Sequence, residues 1–198
     1  MAEKVRLEDR ECPLSATLGL VGDWWVLLIL HDAFDGYTRF DQFQANLGIS
    51  SSLLSGRLKS LVTTGLLERR PYQASPVRHE YLLTGLGRSL RPVIVALAAW
   101  GNARLDPGQR SMVLVDASTG IEAEPVLVDR VTGRRADGPD FVFTAGPAAT
   151  KPFRDRYASR PACRQPRVRA PDRLPPGPAA GLIPAAPSLQ GRGVAAGG

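Results

Sequence analysis

Histidine and cysteine are scarce in this 198-residue chain, with two of each. Cys12 and Cys163 stand far apart, so no disulfide framework is implied. His31 and His79 are isolated, one at a helix end and one in a β-like run, and both read as structural. The remaining residues assemble no metal-ligand cluster, no phosphate-binding loop and no nucleophile–base pair. The expectation is a protein that uses no metal or other cofactor and is not an enzyme. Long apolar runs are missing as well. The longest, residues 24–30, falls far short of the roughly 20 residues that cross a bilayer. Residues 2–10 are charged, unlike an export signal. A cytoplasmic protein without a membrane partner is expected.

Acidic residues are few where the cations gather. Lys and Arg exceed Asp and Glu by six overall, and the excess is uneven. Between Gly36 and Pro92 eight basic residues face only Asp41, Glu68 and Glu80. Such a local excess attracts a phosphate backbone, although it is also compatible with a plain solvated face.

Within that basic region, residues 50–63 read as a helix. Leu54, Leu58, Leu61 and Val62 recur at helical spacing, Ser50 is a good N-cap, and Gly65 stands where a left-handed residue ends a helix. The opposite face carries Ser51, Ser52, Ser55, Gly56, Lys59, Ser60 and Thr63. It is small, polar and free of acids, a composition that suits a DNA groove better than a protein interface. Lys59 is the sharpest base-reading candidate, because serine discriminates weakly between bases. Two β-like runs come next, residues 66–70 and 78–83, around a Pro-bounded loop 71–77. Arg69, Arg70 and Arg78 flank its tip, where phosphates or the minor groove would be met. Arg39, before the preceding helix, is a further phosphate candidate. Arg57 lies at the edge of the apolar stripe, so a phosphate and an internal ion pair with Glu68 or Glu80 both remain open.

In chain order, a polar arm (1–11) leads to a short helix opened by Cys12-Pro13 and carrying Leu14, Leu18 and Val21. Asp23 caps a helix from Trp24 to His31 or slightly beyond, apolar nearly all round and so placed at the centre of the core. A turn at Asp35-Gly36 precedes a short helix, 38–46. Gly48 then makes the tight turn before the Ser50 helix, which completes a helix-turn-helix pattern. After the hairpin, Thr84 caps a last helix whose start is weakened by Gly85, Gly87 and Pro92. Its stripe of Leu90, Val93, Ile94, Leu97 and Trp100 exceeds what one small core needs and, with Leu14 and Leu18, suits a dimer interface.

These residues carry a resemblance. The segments CPLSATLGLVGDWWVLLIL, TRFDQFQANLGISSSLLSGRLKSLVTTGLLERRPY, RHEYLLT, GRSL and PVIVALAAWG resemble the HxlR-type winged helix-turn-helix regulators, relatives of the MarR group, from about Cys12 to Gly101. Leu86 is a departure, standing where the family usually has a charged residue. The resemblance implies an α+β, mainly helical domain with a two-stranded wing. It also implies a homodimer joined through the first and last helices that binds double-stranded DNA at a pseudo-palindromic operator, often as a repressor. Some members of the family sense electrophiles or oxidants through a cysteine near Cys12, so a small-molecule or redox effector is a further candidate partner. Cys-Pro at a helix start favours thiolate, but Cys12 also reads as a small buried residue at the dimer contact. A winged helix that binds proteins and has lost DNA is the alternative function.

Three regions are expected: a DNA-binding and dimerisation domain (1–105), a small β-hairpin appendage (106–150) and a disordered tail (151–198). Within the appendage VDASTG and VDRVTG repeat thirteen positions apart, as turns between short strands do. The tail holds nine of the 17 prolines, a composition that cannot bury enough surface to offset ordering entropy. It is either passive or adds non-specific DNA affinity.

Overall fold

The computed structural model describes residues 11–158; residues 1–10, Cys163 and the rest of the tail lie outside them. Helix α1 (Pro13–Val21) opens on a proline, whose missing N–H is no loss in a first turn. Asp23 caps α2 (Trp24–Phe34) by accepting from the Trp25 N–H at 3.0 Å. Helix α2 is the central strut. It carries Val26, Ile29 and Leu30 into the core, and α1, α3, α4, α6 and β2 all pack against it.

The chain then turns through α3 (Phe40–Leu47) into α4 (Ser51–Thr63). Gly48 makes this turn at φ 62°, a left-handed conformation that side chains disfavour. Phe43 from α3 and Leu54, Leu58 and Leu61 from α4 are fully buried against α2. A polar strut fixes the pair: Asn46 Nδ2 donates to both carboxylate oxygens of Asp32 at 3.0 Å. Asp32 is 2% exposed, so this contact satisfies a carboxylate that burial alone would penalise.

Strands β1 (Leu67–Ala74) and β2 (Val77–Leu83) form an antiparallel ribbon, with Leu67 opposite Leu83 and Arg70 opposite Glu80. The ribbon is longer than the sequence suggested, because the strands run through the expected loop 71–77 and leave only Ser75-Pro76 at the tip. Pro71 is tolerated since a two-stranded ribbon has free edges, and the register shifts beside it, between Pro71 and Gln73. Thr38 extends the sheet by accepting from the Tyr81 N–H at 2.7 Å.

The last helix begins late, as its glycines and proline suggested. Thr84 caps a single turn, α5 (Gly85–Arg88), and α6 (Arg91–Asn102) comes after it. A Cβ on Gly87 would stand 2.1 Å from the Leu66 carbonyl oxygen, so this turn can press on the hairpin only with glycine there.

Beyond a short 3-10 turn (Pro107–Gln109), the appendage is two copies of one knuckle. Val115 bridges Glu122 and Val128 bridges Arg135, and equivalent backbone hydrogen bonds flank both pairs. Asp116 and Asp129 accept from Ser118 and Thr132 inside these turns, which holds both carboxyls below their usual range. The expected short strands are reduced here to single bridges. In the first knuckle the next ladder bond would come from Pro125, which has no N–H, and the Met112 carbonyl accepts from Asn102 instead, at 2.8 Å.

The expected disordered tail is corrected at its start, where residues 151–158 form helix α7 (Lys151–Ala158). A Lys151–Asp155 pair at 2.7 Å and the Phe153–Tyr157 ring contact at 5.1 Å support it.

Candidate nucleic-acid interface

Helix α4 meets the core through one side and leaves the other open. Ser51, Ser52, Ser55, Gly56, Lys59, Ser60 and Thr63 are all exposed. Ser50 caps the helix by accepting from the Leu53 N–H, and Ser51 Oγ accepts from Gln44 Nε2 at 2.7 Å. That second bond ties α4 to α3 and uses part of Ser51's bonding capacity. No hydrogen bond or ion pair engages the Lys59 ammonium among the described residues, so its charge stands free on an acid-free face.

Arg57 lies elsewhere. Its guanidinium pairs with Asp23 at 2.6 Å, not with Glu68 or Glu80, and both side chains are about one-third exposed (35% and 32%). The reason is positional. Arg57 sits at the rim of the buried stripe, where the N-terminus of α2 is the nearest surface. Asp23 therefore caps α2 with one oxygen and holds α4 with the other. Its first role was legible from local sequence; the second needed the tertiary approach of the two helices.

The wing extends the cationic surface. Arg78 is exposed with no partner among the described residues. Arg70 is neutralised in part by Glu68 at 2.6 Å, and Arg69 shares a hydrogen bond with His79 at 2.9 Å. Arg39 caps no helix with its side chain and instead lies over the Tyr72 ring, 4.6 Å from its centroid. Tyr72 sits beside the register shift of β1, a position the sequence had left in a loop. Its role as a platform for Arg39 was hidden for that reason. Lys59, Arg39 and the wing arginines are thus presented by α4, by the start of α3 and by the ribbon.

The apolar stripe proposed for dimerisation divides in two. Leu14 (66% exposed), Leu18, Val93, Leu97 and Trp100 stand in solvent, joined by Leu20 and Trp24. Leu90 and Ile94 do not; they are half-buried against this chain's own core. The physical cause is that α6 is apolar nearly all round, so α2 takes one of its faces.

Cys12 is half-buried at the N-cap of α1. The Ser15 backbone N–H, then that of Leu14, lowers its pKa, with a smaller contribution from Arg156. His31, at the end of α2, lies 3.7 Å from Asp32 and 3.6 Å from Asp35. Asp32 is the main cause of its raised pKa.

A core-packed helix-turn-helix joined to a two-stranded wing defines a winged helix-turn-helix DNA-binding protein. Residues 20–109 match the HxlR-like helix-turn-helix family. The chain is 43% identical over 133 residues to the HTH-type transcriptional regulator Mb3122 of Mycobacterium bovis, covering 63% of this chain and 84% of that one. It belongs to the HxlR-like family, whose members are transcriptional regulators. Among solved structures it is similar to the transcription-factor candidate PA1607, with 33% identity, a TM-score of 0.64 and coverage of 72% of this chain and 100% of that one. PA1374 of Pseudomonas aeruginosa is similar too, with 38% identity, a TM-score of 0.56 and coverage of 73% and 99%. Both alignments exceed the length of the helix–wing unit, so they reach into the appendage. No single helix among the described residues is long and apolar enough to cross a membrane.

Proposed function

We propose that the chain is a homodimeric transcriptional repressor, with α4 of each subunit in the major groove of one half of a pseudo-palindromic operator. The observation that carries this reading is the exposed, acid-free face of α4 with the free Lys59 at its centre. Short hydroxyls at positions 52, 55 and 60 allow close approach to base edges, and Lys59 can donate to guanine O6 and N7. Arg78, Arg39 and Arg69 take phosphates, which position a complex without reading sequence. Arg70 contributes less, because Glu68 offsets its charge.

Dimerisation is supported by the exposed Leu14, Leu18, Val93, Leu97 and Trp100, a group of large apolar side chains that a monomer would leave in water. Cys12 is the candidate redox switch, since a lowered thiol pKa raises the thiolate fraction that oxidants and electrophiles attack. Repression, rather than activation, accords with the common behaviour of the family it resembles. A mobility-shift titration on the DNA upstream of its own gene, across a salt series, tests the reading. Saturable binding that weakens steeply with salt is expected. Binding no tighter than to random duplex would overturn it and favour a winged helix devoted to proteins.

A further inference from the structure

Arg39 is held from three sides before it meets any partner. Its own N–H and that of Thr38 donate to Gln42 Oε1, at 3.0 and 3.1 Å, which fixes the first turn of α3. The Tyr81 N–H reaches the Thr38 carbonyl at 2.7 Å and Arg39 bridges Glu80, so β2 holds the same two residues. The third hold is on the side chain, where the Tyr72 ring of β1 has its centroid 4.6 Å from the guanidinium carbon. We propose that Tyr72 is a positioning residue for DNA binding, which holds the Arg39 guanidinium ready for a phosphate without touching DNA itself. The proposal rests on the reading of Arg39 as a phosphate contact.

The register shift of β1 gives Tyr72 its place. Pro71 stands opposite His79 and Gln73 opposite Arg78, so Tyr72 is the extra residue, with no partner on β2. A bulge of this kind re-aims a side chain that strict alternation would direct elsewhere. Here it brings a ring to the start of α3.

A ring suits the task better than a carboxylate. A guanidinium is attracted to an aromatic face, yet that face offers no oxygen to its N–H groups. The donors therefore stay available for the paired oxygens of a phosphate. Arg39 enters no ion pair among the described residues, so no acid competes for them. The gain for binding is one of order. An arginine that is already held loses less rotamer freedom on meeting DNA than one that sweeps through water. The Tyr72 hydroxyl has no hydrogen bond among the described residues, so the ring alone supplies the hold.

Phosphate contacts carry no sequence information, so titrations of the full chain on random duplex, across a salt series, test the proposal. Tyr72→Leu should weaken binding about two- to tenfold. Its salt slope should stay at the wild-type value, because the bound arginine still neutralises its phosphate. Arg39→Ala should instead lower the slope by about one unit. In that background Tyr72→Leu should change affinity no further, and Tyr72→Phe alone should bind as wild type does. Should Tyr72→Leu melt early, Arg39→Lys takes its place: it keeps the charge but stacks less well, so affinity should fall with the slope kept. An equal loss from Tyr72→Leu with and without Arg39 would overturn the proposal, as would an unchanged slope in Arg39→Ala. A loss in Tyr72→Phe as large as in Tyr72→Leu would overturn it too, since the hydroxyl would then be a direct contact. A wild type that binds operator no tighter than random duplex would sink the regulator reading and leave the random-duplex result for Tyr72 standing.

Discussion

The Arg57 guanidinium and the Asp23 carboxylate meet at 2.6 Å, joining helix α4 to the cap of the central helix α2. One carboxylate thus does two jobs, accepting from the Trp25 N–H and holding the arginine. Loss of Asp23 should therefore cost more than loss of Arg57. Asp23→Ala removes a cap worth about 1 kcal/mol together with an ion pair worth up to about 1 kcal/mol. Arg57→Ala removes the pair alone. Urea melts of both single variants and the double variant check this, and the double should fall short of the sum. Equal costs for the two single variants would contradict the shared role.

His31 gives stability a pH dependence of defined sign. Its pKa is raised above the ordinary 6.5, mainly by Asp32 and further by Asp35. The charged imidazole therefore stabilises the fold fully below its unfolded pKa, and the benefit is lost as pH rises through the higher folded value. Melting temperatures of wild type and His31→Gln should differ most in acid and converge in alkali. A gap that widens with rising pH would contradict the assignment.

The two halves of the α6 stripe should respond differently. Leu97→Asp places a charge on the exposed half and should yield folded monomers by sedimentation. Ile94→Ala removes a half-buried side chain from the core and should lower stability by about 1–3 kcal/mol while leaving assembly intact. Monomer formation by Ile94→Ala alone would mean that the stripe is divided wrongly.

For Cys12, mild oxidation should weaken operator binding, and Cys12→Ser should abolish that response. A serine variant that responds as wild type does would leave the residue only its packing role at the α1 cap.

Most of the fold was legible because its signals are local. Ser50, Asp23 and Thr84 mark helix starts through their own side chains, and Gly48 and Gly65 mark turns through positive φ. The thirteen-residue echo likewise foretold two like turns. What escaped reading was tertiary. Pro71 looked like a loop residue, but a ribbon edge accepts proline. Leu90 and Ile94 looked equivalent to Val93 and Leu97 until α2 was seen to claim one face. Asp32 showed no sign of burial, since its partner Asn46 lies fourteen positions away. The helical signal of residues 151–158 was masked by the proline-rich composition of residues 159–198. Of the candidate interface, the exposed polar face of α4 was readable from the spacing of its leucines, whereas the partners of Arg57, Arg70 and Arg39 depended on contacts across elements.

The division of labour between helix and wing is the central claim, and one set of titrations tests it most directly. Wild type, Lys59→Ala, Arg78→Ala and Arg70→Ala are titrated on operator and on random duplex across a salt series. Lys59→Ala should cost about 1–3 kcal/mol on the operator and relax the preference between the two duplexes. Arg78→Ala should weaken both duplexes alike and lower the salt slope by about one unit, because phosphates repeat identically along DNA. Arg70→Ala should do the same to a smaller extent, given its pairing with Glu68. Equal loss on both duplexes for Lys59→Ala, with preference unchanged, would reduce Lys59 to a phosphate contact and contradict the assignment of α4 as the sequence-reading element.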